Sequence, residues 1–367
     1  MRKNIRNIGI CTVVAVWILL TVIAWFHPAK SISQSERRPL QQMPEFSADK
    51  FLDGSLARDF ESYTLDQFPL REDFRTLKAL YAYNVLQMKD NNGIYLEDGY
   101  AAKLEYPLNQ ASISNALKKF NVIYHRYLKD HHDHIYVSVI PDKGYYLASE
   151  NGYPTMDYED LFRQVAEGMP WAQMIDITGG LDISHYYRTD THWRQEKLVP
   201  VARILSRAMG VTPPEEGNFT AVPVTGAFYG VYHGQAALPM GGEELLVMEN
   251  AMLSACRVYY WETGEYKGIY DREKLSGLDP YDVFLSGPQS VLTIENPNAD
   301  PNRELVIFRD SFASALAPLL TEGYGKITLV DIRYVSSDLL EEYLPAQNAD
   351  VLFLYSTLIL NNSTTLK

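Results

Sequence analysis

Cysteine is nearly absent: Cys11 and Cys256 are the only two in 367 residues. One lies in an apolar N-terminal run and the other far downstream, so a bridge within the chain is excluded and stability must come from a packed core. No Cys cluster with metal-type spacing exists. Positive charge is scarce too, with 33 Lys and Arg against 46 Asp and Glu and a net charge of -13. Phosphate backbones need a basic surface, so no nucleic-acid partner is expected. A neutral ligand, or one held by a local basic patch, suits this surface better. No internal repeat is evident. What is present is ordinary for a folded protein: 46% hydrophobic and 22% charged residues, with length enough for one large domain and a smaller satellite.

Charge vanishes altogether from Ile8 to Phe26, about 19 residues, long enough as a helix to cross a hydrocarbon core. Arg2, Lys3 and Arg6 precede it, and Trp25 and Phe26 stand near one end. The sequence after it, His27-Pro28-Ala29-Lys30, has no Ala-x-Ala site, which favours an uncleaved anchor over a signal peptide. The basic flank predicts a cytoplasmic tail (residues 1–7), a transmembrane signal-anchor (8–26) in the cell membrane, and everything further outside. Residues 27–45 read as a polar linker. From 46 to 130 the apolar spacing is helical, with Phe51, Leu52, Leu56, Phe60, Tyr63 and Leu65, then Phe68, Phe74, Leu77, Leu80, Tyr81, Val85 and Leu86; the expectation is a helical collar packed on the main domain. Another helix is expected from Ser112 to Leu128.

Beyond 131 strands and helices alternate. Ile135–Ile140, 304–308, 326–331 and 350–356 read as strands, and 158–168, 312–322 and 336–344 as helices, with a further helix over 195–209 interrupted by Pro200. A β-rich insertion occupies roughly 211–300, with a hairpin around Glu262-Thr263-Gly264. This alternation predicts an α/β fold, a mostly parallel sheet with helices on both faces, whose site lies at the carboxyl ends of the strands.

Ser311 falls at such an end, after Leu305-Val306-Ile307-Phe308 and before a helix-like run. Its hydroxyl could stand at the sheet edge beside free helix-terminal amides; equally, Asp310 or Ser311 could do no more than cap the helix. Far upstream, Asp190-Thr191-His192-Trp193 supplies a carboxylate and an imidazole two residues apart, on one side of an extended segment. Asp190 would fix the tautomer of His192, leaving the far nitrogen to take the Ser311 proton, with Trp193 packed behind the ring. The rival use of an Asp-x-His pair is metal binding, for which His131-His132-Asp133-His134 offers further ligands. That cluster precedes a strand and reads as a solvated turn, so no metal and no cofactor are expected.

The stretch Tyr186-Tyr187-Arg188-Thr189-Asp190-Thr191-His192-Trp193 resembles the signature of the DHHW family of exported bacterial proteins, with Thr191 in place of that family's first histidine. The resemblance continues through Asp66-Gln67-Phe68-Pro69-Leu70-Arg71, Val139-Ile140-Pro141-Asp142-Lys143, Tyr281-Asp282-Val283-Phe284-Leu285-Ser286-Gly287, Arg309-Asp310-Ser311-Phe312 and Val330-Asp331-Ile332-Arg333-Tyr334. These span nearly all of the exported part in order. The group is in turn similar to SGNH-like acetyltransferases that O-acetylate alginate, which carry Asp-x-His before a Gly-Asp-Ser-type serine, a circularly permuted order.

What the resemblance implies is an SGNH-hydrolase-like catalytic domain over 131–367 with Ser311 as nucleophile, His192 as base and Asp190 as its orienter. It further implies an O-acetyltransferase acting on an extracellular polysaccharide, fed by a membrane-bound O-acyltransferase partner that passes acetyl groups across the membrane. An acetyl esterase with the same triad, or a non-catalytic envelope glycan-binding protein, are the alternatives. Arg309 stands where the family type has glycine. Gly287 could supply an oxyanion amide, although Pro288 follows and no asparagine is assignable. Arg309, Arg188, Lys143 and Asp310 complete the candidates for oxyanion or substrate binding.

Overall fold

In the computed structural model of the chain, residues 2–345 and 348–367 are described. They form two compact units, one of residues up to Asn91 with Gly234–Pro239, the other of Asn92–His233 with Met240–Lys367.

The smaller unit opens with α1 (Arg2–Phe26), in which Asn7–Phe26 has a mean hydropathy of 2.5 and no buried residue. It is the one described helix long and apolar enough to cross a membrane. The segment read as a linker folds back as an antiparallel pair, β1 (Ile32–Ser33) with β2 (Arg38–Pro39). Charge holds it: Arg38 forks onto Asp66 at 2.9 and 2.6 Å, and Arg71 meets Glu36 at 2.5 Å. Three helices follow, α2 (Ala48–Leu52), α3 (Ser55–Asp66) and α4 (Arg71–Asn84). The apolar spacing predicted helices here, and helices form, but little of their apolar surface is covered. Helices α2 and α3 bury no residue and α4 buries only Ala79 and Ala82.

The units divide at Asn91, inside the stretch read as helical, because residues 94–103 fold as a hairpin of β3 (Ile94–Glu97) and β4 (Tyr100–Lys103). Asp98 and Gly99 make its turn with positive φ, which Gly and Asp tolerate. Helix α5 (Gln110–Ile123) is capped by Asn109, whose side chain accepts from the Ser112 amide, and runs on into a π-turn to Leu128.

An eight-stranded sheet makes the body of the larger unit. Its parallel part is, in spatial order, β13 (Lys326–Val330), β12 (Glu304–Arg309), β14 (Asp350–Ser356), β5 (Ile135–Ile140) and β6 (Gln173–Met174). Beyond β13 come three antiparallel strands, β11 (Val291–Glu295), β9 (Arg257–Tyr260) and β10 (Glu265–Lys267). The remaining two, β7 (Thr220–Phe228) and β8 (Glu243–Glu249), pair only with each other, through a bulged register. The β-rich insertion therefore splits, half of it widening the sheet and half standing apart.

The central strands are buried at nearly every position and mostly apolar, because both faces are covered. In β12, Leu305 and Ile307 enter one core layer with α8 (Val199–Ala208) and the 313–320 turns; Val306 and Phe308 enter the other with α5 and α7 (Tyr158–Gly168). Each such side chain contributes roughly 1.5–3 kcal/mol on burial. The expected break at Pro200 does not occur. Pro200 lies in the first turn of α8, where its missing N–H costs nothing, and a short 3₁₀ turn, Gln195–Lys197, precedes it.

Candidate active site

Ser311 follows the last residue of β12 at the carboxyl edge of the sheet. The turn that carries it is made by Asp310, which is fully buried. One carboxylate oxygen accepts the Phe312 N–H (3.0 Å), and the other accepts the Ser356 N–H (2.7 Å) at the end of the neighbouring β14. Asp310 thus fastens the serine turn to the next strand. It also changes one expectation: the Phe312 amide goes to the Asp310 side chain and the Ala313 amide to its carbonyl, leaving the Ser311 N–H without an acceptor among the described residues.

The acid and base do not come from an extended segment. Tyr186 and Trp193 pair as an isolated antiparallel bridge, and the Tyr187 N–H meets the His192 carbonyl at 3.0 Å, so residues 188–192 form a tight closed loop. Within it one Asp190 oxygen accepts both the His192 backbone N–H (3.0 Å) and ring Nδ1 (2.7 Å). The other accepts the Val231 N–H at 2.8 Å. A carboxylate only accepts, so Nδ1 carries the proton and Nε2 is the free base. Nε2 lies 2.8 Å from Ser311 Oγ. The three residues form one hydrogen-bonded relay.

Three supports were not foreseen. Tyr281, not Trp193, packs on the imidazole: the rings are parallel within 8° with centroids 4.0 Å apart. Trp193 is buried elsewhere and donates from its indole to the Phe312 carbonyl (2.8 Å), tying the histidine loop to the serine turn. Gly230 passes so close that a Cβ there would sit 2.3 Å from Asp190 Cα, a collision no neighbour can relieve. Tyr281 opens the Tyr281–Gly287 stretch, but no periodicity marks a ring that stacks on a histidine.

No protein-family model and no curated protein matches the chain. Solved structures do. A DHHW family protein from Eubacterium siraeum superposes with a TM-score of 0.61 at 20% identity, over 75% of this chain and 95% of that one. The fold is that of a DHHW protein. Bacillus cereus PatB1 follows, in a structure with a sulfonyl adduct (TM-score 0.58, 18% identity, 73% of this chain and 95% of that) and in one without (0.57, 17%, 73% and 96%). Sequence motifs and architecture agree: an SGNH-like α/β sheet with the Asp-x-His loop ahead of the serine.

Within this DHHW fold the remaining candidates separate. Arg309 is buried and bonds Ser314 Oγ at 2.9 Å, so it is no surface cation; its Nε has no partner among the described residues. Gly287 gives its N–H to the Phe284 carbonyl (3.2 Å) and ends a run of three left-handed residues, Leu285, Ser286 and Gly287, with φ of 54°, 58° and 78°. That conformation costs roughly 1–2 kcal/mol at each non-glycine. Ser286 anchors it through Asp271 (2.7 Å), and the same loop carries Tyr281. Arg188 is exposed, its guanidinium 6.0 Å from the Tyr100 ring.

Lys143 is buried in the first turn after β5. Its Nζ donates to the carbonyls of Tyr187 (2.9 Å) and Arg188 (3.2 Å), at the root of the histidine loop, and lies 5.0 Å from the Tyr232 ring. Burial pushes its ammonium down to about 7, against the pull of Asp190, Glu243 and Asp142. In the histidine-rich turn His131, Asp133 and His134 are exposed, as a solvated turn requires, and His132 alone is buried. His132 is buried against the Ala349 carbonyl (3.0 Å) and His134 meets Asp350 at 3.1 Å; no three metal-ligating side chains converge among the described residues.

Proposed function

We propose that the chain is a membrane-anchored, extracytoplasmic O-acetyltransferase that acetylates a cell-surface polysaccharide through an acetyl-serine. The observation that carries this reading is the relay itself, Asp190 to His192 at 2.7 Å and His192 to Ser311 at 2.8 Å, at the carboxyl edge of a parallel sheet. Ser311 Oγ gives its proton to Nε2 of His192 and attacks the acetyl carbonyl. The tetrahedral adduct collapses, the donor's leaving group takes the proton from His192, and acetyl remains on Oγ. A sugar hydroxyl then gives its proton to Nε2 and attacks the ester, and collapse returns that proton to Ser311. Asp190 stabilises the imidazolium in both halves, and the Ser311 N–H, which has no acceptor among the described residues, would serve the oxyanion.

The apolar helix Asn7–Phe26, with Arg2, Lys3 and Arg6 before it, supports a single pass with the N-terminus inside. Acetyl groups would then come from a membrane-bound acyltransferase partner. The test is mass spectrometry of the full chain in detergent after p-nitrophenyl acetate: acetyl on Ser311, lost in Ser311→Ala and discharged by a polysaccharide acceptor. An unmodified Ser311 would sink the reading, and discharge by water alone would make the protein an esterase.

A further inference from the structure

Helix α4 is built inside out. Arg71, Arg75, Ala79 and Ala82 recur at helical spacing and turn inward. Both alanines are buried, Arg71 and Arg75 reach Glu36 at 2.5 and 3.3 Å, and Arg75 also donates to the Gly234 carbonyl at 2.7 Å. The opposite stripe is Leu70, Phe74, Leu77, Tyr81 and Val85, spaced four, three, four and four residues apart. These side chains are 63%, 43%, 61%, 52% and 61% exposed. A helix in water shows the reverse arrangement, apolar stripe inward and charges out. The neighbouring helices reinforce it: Phe51, Leu52, Phe60 and Leu65 are exposed as well. So many large apolar side chains exposed along one short stretch of chain mark a place where something other than water is met.

What meets it is indicated by continuity. Phe74, in the stripe, packs on Phe68 (centroids 5.5 Å), and Phe68 packs on Trp17 of α1 (6.5 Å). The stripe is thus joined, ring by ring, to the helix whose composition suits a bilayer. We propose that α4 lies on a lipid surface, with its Leu70–Val85 stripe set at the boundary between headgroups and acyl chains beside α1. The paired charges of Glu36, Arg38, Asp66 and Arg71 stay on the helix's inner side. The inference rests on the reading that α1 crosses a membrane.

The test uses the full chain in phosphatidylcholine vesicles, with nitroxide labels read by their collisions with oxygen, which enriches in lipid, and with a water-soluble nickel chelate. One label goes on native Cys11 in α1. In a Cys11→Ser background others go on Leu77→Cys and Val85→Cys, with Lys118→Cys, exposed on the larger unit, as the water reference; Cys256 is buried and stays unlabelled. The expected result is an oxygen-to-nickel ratio at 77 and 85 shifted from the Lys118→Cys value toward that at Cys11. A water-like ratio at 77 and 85 with a lipid-like one at Cys11 overturns the proposal and leaves the anchor standing. A water-like ratio at Cys11 removes the anchor, and the proposal with it. Shielding from both reagents, with spin broadening that grows with protein density, assigns the stripe to a second copy and overturns the proposal.

Discussion

Helices α4 and α8 share one sequence pattern and opposite fates. In α8 the apolar positions Val199, Val201, Ala202 and Leu205 are buried in the core beneath the sheet. In α4 the large apolar side chains face out, and the arginines face in beside two alanines. Helical periodicity shows that a helix has an apolar face; it does not show whether that face turns toward the core or away from it. The same contrast separates the two units. The larger turns its chemistry inward, with Asp190, Asp310 and Lys143 all buried, while the smaller holds its ions around Glu36 and presents hydrocarbon outside.

The sharpest way to break that contrast is functional. Ser311→Ala or His192→Ala should cut acetyl-ester turnover by at least ~10³-fold, since the members of such a relay act as a unit, and Ser311→Ala should do so with the melting curve unchanged. Leu77→Ser on α4 should leave turnover of soluble p-nitrophenyl acetate as it was. Steady-state hydrolysis in detergent decides both; equal losses would mean that the stripe serves the site.

Core truncation comes next. Leu205→Ala in α8 should lower unfolding free energy by about 2–5 kcal/mol, whereas Leu77→Ala in α4 should change it by ~0.5 kcal/mol or less. Denaturant titrations of the two variants in one detergent make the comparison, and similar costs would place Leu77 in a core.

Tyr281 probes the inward side more finely. Its hydroxyl is buried without a partner among the described residues, so its contribution to the site is the ring. Tyr281→Phe should behave like the parent. Tyr281→Leu, which frees the imidazole plane, should lower kcat by up to about 10²-fold with KM little changed. A Phe variant as poor as the Leu variant would reassign the role to the hydroxyl.

The smallest effects are in pH. Lys143, held at about 7 when folded, regains its ordinary affinity for protons on unfolding, so the unfolded chain binds more protons between pH 7 and about 10. Stability should therefore rise with pH across that window, by at most ~1.4 kcal/mol per pH unit, and Lys143→Met should flatten the slope. Asp66 works at the other end. The Arg38 guanidinium holds its carboxyl down to about 2, so its contribution is present above pH 4 and lost as pH falls through 2. This pair is solvent-accessible, and the change should be much the smaller of the two. Chemical denaturation from pH 2 to 9.5 tests both signs.

Much of this was legible in the chain. The five strands at 135–140, 257–260, 304–309, 326–330 and 350–356 are dense in β-branched and aromatic residues bounded by turn residues, and each was visible. So was the relay, because Asp190, His192 and Ser311 are chemically specific residues at telling positions. What escaped depends on long-range contact. Nothing local says that Asp310 reaches across to Ser356, that Tyr281 rather than Trp193 lies against the imidazole, or that Arg309 is buried close behind the serine turn. The inverted helix escaped for a simpler reason: its spacing is that of any core helix.

One strand carries a consequence for how the protein comes into being. β14 lies between β12 and β5, though it follows nearly all of the other elements in sequence, and its terminal amide at Ser356 holds the Asp310 turn. Contacts so distant along the chain form late and slowly. A chain emerging amino end first would present its histidine loop long before its serine, and neither would be in place until β14 had slid into the gap. Proper assembly of the edge that carries the relay is therefore coupled to the arrival of residues 350–356, and a polypeptide stopped short of them should accumulate as an open sheet prone to capture by quality-control proteases.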